Sequence, residues 1–139
     1  MFRRCALLGA LLTGACASAP ASAPVPGPGE RVYATVEAAA DGAADYLLAR
    51  ETRVESAALI FSHPTGFYFV YAGAGERHKV GIPVADDALA TVHTHVVRNQ
   101  NTYCSDRDLK GFRAIREQFP RLRHFVRYRW GSTRECSLD

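Results

Sequence analysis

A run of alanine, serine, proline, valine and glycine from Ala19 to Gly29 divides this 139-residue chain, with Pro24-Val25-Pro26-Gly27-Pro28-Gly29 as its densest part. Proline fixes φ and removes a backbone donor, and glycine has no side chain to bury. Such a run builds no core and is expected to be a flexible, partly extended linker over residues 18–30. What can fold lies after it, at 31–139. These residues, about 109 of them, are enough for one domain that buries a single core.

The residues before the linker read as targeting rather than structure. Met1-Phe2-Arg3-Arg4 is basic, Ala6 to Leu12 is apolar but too short to span a bilayer, and small residues follow from Thr13 to Ser18. This is the layout of a secretory signal over residues 1–17. Two processing patterns stay open. Ala15-Cys16-Ala17 fits small-x-small cleavage before Ser18. Leu12-Thr13-Gly14-Ala15-Cys16 resembles a lipobox, with Cys16 as the lipidated membrane anchor, although Thr13 stands where the pattern has leucine. The expected location is the periplasm, the outer membrane as a lipoprotein, or the exterior.

Of four cysteines, Cys5 leaves with the signal and Cys16 is either removed or lipidated. Cys104 and Cys136 remain, an even pair in an exported chain, and a disulfide between them is expected. The alternative is Cys104 acting as a metal ligand or nucleophile, but neither cysteine sits in a C-x-x-C pattern. The net charge of +3 is too small to require a nucleic-acid partner, and none is expected. From Lys110 onward eight Lys or Arg face three acids, which is either a solvated surface or a face for an anionic partner.

Apolar spacing predicts a helix over Thr35 to Arg50, with Val36, Ala39, Ala43, Tyr46 and Leu47 on one stripe. Ala57 to Phe61 and Phe67 to Tyr71 flank a Pro-Gly turn and read as a hairpin. Ala72 to Glu76 reads as a loop, His78 to Val84 as a further strand, and Ala88 to Val97 as a buried strand. A helix is expected from Ser105 to Gln118, with Leu109, Phe112, Ile115 and Phe119 inward and Pro120 as its stop. His124 to Trp130 reads as a last strand. The fold class is α+β: a small mixed, mostly antiparallel β-sheet packed by two main helices.

His93 and His95 lie two apart on a predicted strand, so both rings point to one face and can meet one cation. Burying two imidazoles without partners is costly, so a ligand role stands beside the reading as two hydrogen-bonded core histidines. Ser105-x-x-Asp108 at a helix start is also the pattern of a capping box. The two readings are compatible, since a capped helix start fixes where the carboxylate points. Glu55 alone reads as a surface acid pairing with Arg53 or Arg50. His63 and His78 take no role, and His124 either supports the site or points outward.

His93-x-His95, nine residues, then Ser105-x-x-Asp108, with Glu55 upstream at a strand start, resembles the signature of the JAMM or MPN-type (JAB-like) zinc metallopeptidases. The layout of helix, glutamate, hairpin, His-x-His and Ser-x-x-Asp resembles the small secreted bacterial branch called domain of unknown function 4329. The resemblance covers roughly Val36 to Gln118 and departs from the pattern at Val96, where proline is common, and at Cys104, where an aromatic residue is common. It implies a JAB/MPN-like, cytidine-deaminase-like fold and Zn2+ held by His93, His95 and Asp108. It also implies Glu55 as the general base toward a water on the metal, and Ser105 as the oxyanion donor. The implied function is hydrolysis of peptide or isopeptide bonds in a peptide or protein substrate. The alternatives are a non-catalytic cell-envelope lipoprotein serving as a binding module and a secreted toxin or effector domain.

Overall fold

The computed structural model describes residues 26–97 and 104–138. The signal with Cys16, the first part of the linker and the polar loop Asn99 to Thr102 lie outside the described residues. The elements are α1 (Val36–Arg50), β1 (Ser56–His63), β2 (Gly66–Ala74), β3 (Ala90–His95), α2 (Asp106–Gln118), β4 (Arg123–Tyr128) and β5 (Thr133–Glu135). The strands form one sheet in the order β2-β1-β3-β4-β5. Every junction is antiparallel except β3–β4, which is parallel and is crossed by α2. The class is α+β, as the patterning predicts.

Helix α1 starts where the Thr35 hydroxyl accepts from the Ala38 N–H at 3.1 Å. Its inward stripe is mostly alanine, with Ala39, Ala40, Ala43, Ala44 and Leu47 buried, which lets the helix lie close to the sheet. Ala58, Ile60, Phe69, Ala90, Val92 and Phe125 meet it from the strands and make the hydrophobic core. Strand alternation sends Ala57, Leu59, Thr91, His93, His95, His124 and Val126 to the opposite face. There α2 lies over the sheet, with the Phe112 ring 4.9 Å from the His124 ring.

Four expectations change. His78 to Val84 forms no strand and makes only the isolated bridge Glu76↔Lys79, because Pro83 cannot donate to a ladder and Gly81 has no side chain to pack. The expected loop at Ala72 to Glu76 instead begins as strand: β2 runs on to Ala74. A bulge near Ala57/Ala58 absorbs Ala72, so that Ala57 pairs with Gly73 and Ala58 with Tyr71. Helix α2 buries Phe112 fully, while Leu109, Ile115 and Phe119 are only partly covered, since no further layer closes over them. After β4 a short edge strand, β5, pairs back antiparallel.

The Cys104–Cys136 disulfide is formed, with Cα atoms 5.8 Å apart. It joins the residue before the α2 cap to the residue after β5. A bridge of this kind persists outside the reducing cytoplasm. Among the described residues no helix is long and apolar enough to cross a membrane.

Candidate metal centre

Strand pairing assembles the site. In the β1–β3 register Ala57 faces His93, and continuing that register puts Glu55 level with His95. Glu55 is held just ahead of β1 by its backbone, which donates to the Glu76 carbonyl and accepts from the Gly75 N–H, both at 2.8 Å. The Thr94 hydroxyl, on the core face, accepts from the Ser56 N–H at 3.2 Å and locks the same strand ends together. Glu55, His93 and His95 are 3%, 3% and 1% exposed. Their ligand atoms all lie within 4.8 Å of one another, so this buried group could hold a metal ion. Glu55 is thus no surface acid, and Arg50 pairs with Glu51 instead.

Asp108 arrives from α2. Its Oδ1 lies 3.3 Å from His93 Nε2 and its Oδ2 lies 3.4 Å from His95 Nε2, while the two Nε2 atoms are 2.9 Å apart. Ligands bound tetrahedrally at about 2.0 to 2.1 Å stand roughly 3.3 Å from one another, so these three side chains already have the spacing of a shared cation. Two imidazole N–H groups, each donating to one Asp108 oxygen, account for the Asp108 contacts but set two Nε2 donors 2.9 Å from each other, a crowding that a shared cation would relieve. Both Nδ1 atoms are buried without a hydrogen-bond partner among the described residues. Among the described residues no hydrogen bond orients either imidazole from behind; strand burial and ring contacts, His124 against His93 and Tyr128 against His95, orient them instead.

The protonation states fit a donor set. Burial lowers the His93 pKa and outweighs the opposing pull of Asp108, which keeps the ring neutral. Burial would raise the Asp108 carboxyl, but hydrogen bonds from His93, His95 and Ser105 hold it well below the usual carboxylate range. Neutral imidazole and ionised carboxylate are the forms that bind metals.

Ser105 contacts Asp108 directly. Its hydroxyl donates to Asp108 Oδ2 at 2.7 Å and accepts from the Asp108 N–H at 3.2 Å, and Asp108 Oδ2 also takes the Ser105 N–H at 2.8 Å. That is a complete capping box. In this arrangement Ser105 orients Asp108, with its hydroxyl proton engaged there. Cys104 is in its disulfide and is no ligand.

His124 is the site residue that sequence reasoning left unassigned. It is buried, its ring stacks on His93 at 4.9 Å, and its Nδ1 hydrogen-bonds the Thr91 hydroxyl. Burial first, and then its coupling to the adjacent His93 ring, push its pKa down to about 3, so it stays neutral. The parallel β3–β4 register, which sets Thr91 beside His124, decides this placement, and local sequence carries no sign of it. His63 and His78 are exposed, as expected.

No protein-family model matches the chain, and neither a curated protein nor a solved structure does.

Proposed function

We propose that the chain is an exported zinc-dependent hydrolase of peptide or isopeptide bonds. One observation carries this reading: a buried carboxylate, Glu55, stands beside two imidazoles and a second, ionised carboxylate, with the facing atoms of His93, His95 and Asp108 between 2.9 and 3.4 Å apart. His93, His95 and Asp108 are the ligand set, and three protein ligands leave a coordination position open, as catalytic zinc sites do. Zinc bound there would polarise a carbonyl and lower the pKa of a water toward about 7. Glu55 takes the proton of the attacking water on its carboxylate and returns it to the leaving amine. Ser105 holds Asp108 in the ligand geometry. The Cys104–Cys136 disulfide suits an exported protein, and the Cys16 lipobox would tether it to the envelope.

Zinc content is the test. Purified protein is expected to hold about one zinc ion per chain, and His93→Ala and Asp108→Ala are expected to lose it. Glu55→Gln should keep zinc and lose cleavage of a quenched fluorescent peptide mixture. Folded wild-type protein that takes up no zinc would overturn the proposal. Zinc binding with no hydrolysis of peptide or isopeptide probes would leave a binding module instead.

A further inference from the structure

On α2, Asp108, Gly111, Phe112 and Ile115 fall at i, i+3, i+4 and i+7 and therefore share one face. Three of the four present a side chain to the site or its surroundings. The fourth presents none: a Cβ built on Gly111 meets no atom within 4 Å. Glycine is among the least favourable residues in a helix interior, and no positive φ requires it here. Local stability therefore argues against Gly111, and packing does not demand it.

The space left over Gly111 opens directly onto the metal centre. One cleft of about 190 Å³ is lined by Glu55, His93 and Asp108 together with the apolar Val80, Ile82, Phe112 and Ile115. Sites that enclose a whole small molecule run to roughly 300–1,000 Å³, so this volume suits one side chain of a longer ligand. Its walls are mostly apolar. Lys79 and Arg107 also line it, and its two acids are the site carboxylates themselves.

We infer that this cleft is a specificity pocket for the apolar side chain of the peptide residue beside the scissile bond, with Gly111 kept free of a side chain to admit it. The cationic rim selects a carboxylate close to that residue, either a chain terminus or an acidic neighbour. What the pocket serves rests on the hydrolase reading, but its existence does not.

The test is a two-dimensional NMR titration of the full protein with N-acetyl-leucine and N-acetylglycine. N-acetyl-leucine should shift the amides of Val80, Ile82, Gly111 and Ile115 and bind at least about tenfold more tightly than N-acetylglycine. Gly111→Leu should abolish that preference while the spectrum away from α2 is unchanged. Gly111→Ala, which favours the helix, should weaken binding while raising Tm, so a misfolded leucine variant does not stop the test. Equal binding of the two probes, or an unchanged preference in Gly111→Ala and Gly111→Leu, would overturn the pocket. Acetohydroxamate, a chelator without a side chain, reads the zinc-loaded centre separately. If it fails to bind while N-acetyl-leucine still does, the hydrolase reading falls and the pocket stands.

Discussion

Asp108 Oδ2 accepts two hydrogen bonds from a single residue, the backbone N–H of Ser105 at 2.8 Å and its hydroxyl at 2.7 Å, while lying 3.4 Å from His95 Nε2. One carboxylate thus closes the α2 capping box and faces the histidine pair. Helix capping and the placement of Asp108 against the histidines share these contacts, so a change to one is expected to reach the other.

Ser105→Ala separates them by degree. Losing the N-cap hydroxyl should cost about 1 kcal/mol of stability, readable by urea denaturation. Losing the group that orients Asp108 should weaken zinc binding by about 10- to 100-fold, the usual effect of removing a hydrogen bond behind a ligand. A stability loss with unchanged zinc affinity would show that strand and helix packing hold Asp108 without Ser105.

The disulfide spans 32 residues and pins the chain just before that cap. On the chain-entropy model, opening such a loop costs roughly 3 to 4 kcal/mol. The Cys104→Ser, Cys136→Ser double variant should show that loss in chemical denaturation. Hydrogen exchange should rise first at the α2 N-terminus, and zinc affinity should fall with it.

Two helix glycines should respond to alanine with opposite signs. At Gly111 a methyl meets nothing, so Gly111→Ala should stabilise by about 0.5 to 1 kcal/mol through helix propensity. At Gly42 a methyl runs into the buried Tyr33 ring, and Gly42→Ala should destabilise despite the same propensity gain. Thermal melts of both variants check the pair.

Arg123 ties three elements together. It donates to both carboxylate oxygens of Glu135, at 2.8 and 2.6 Å, and to Glu37 at 2.6 Å. The Arg123 hydrogen bond holds the Glu37 carboxyl below its ordinary value of 4.5. Because the folded value is the lower one, this contribution is complete above the ordinary value and fades as pH falls through it. Arg123→Met should therefore lose stability at pH 7, by up to about 1 kcal/mol for such exposed pairs at low salt. The gap to wild type should narrow at pH 3 and in high salt.

Much of the site was legible because its residues sit in short local patterns. His93-x-His95 on one strand face needs only the two-residue period, and Ser105-x-x-Asp108 needs only the first turn of a helix. The α1 start at Thr35 and the inward Ala39, Ala43 and Leu47 are legible for the same local reason, whereas burial of Ala40 and Ala44 shows only in the fold. The expected strand over His78 to Val84 does not form, because Gly81 and Pro83 fall inside it and a ladder tolerates neither well. On α2 only Phe112 of the expected stripe is fully buried, because periodicity says which residues share a face, and not whether anything covers that face.

The amino-acid order alone determined the α+β class, both histidines, the capping box and the pairing of Cys104 with Cys136, since each follows from local spacing or from counting. Tertiary structure decided the rest. It buried Glu55 beside His95 through a strand register between residues 40 apart, where sequence by itself favoured a surface acid. It stacked His124 on His93 through a parallel pairing that α2 has to cross, and it left the space over Gly111 open toward the same centre. Contacts of that kind depend on how distant segments align, and no local period encodes the alignment.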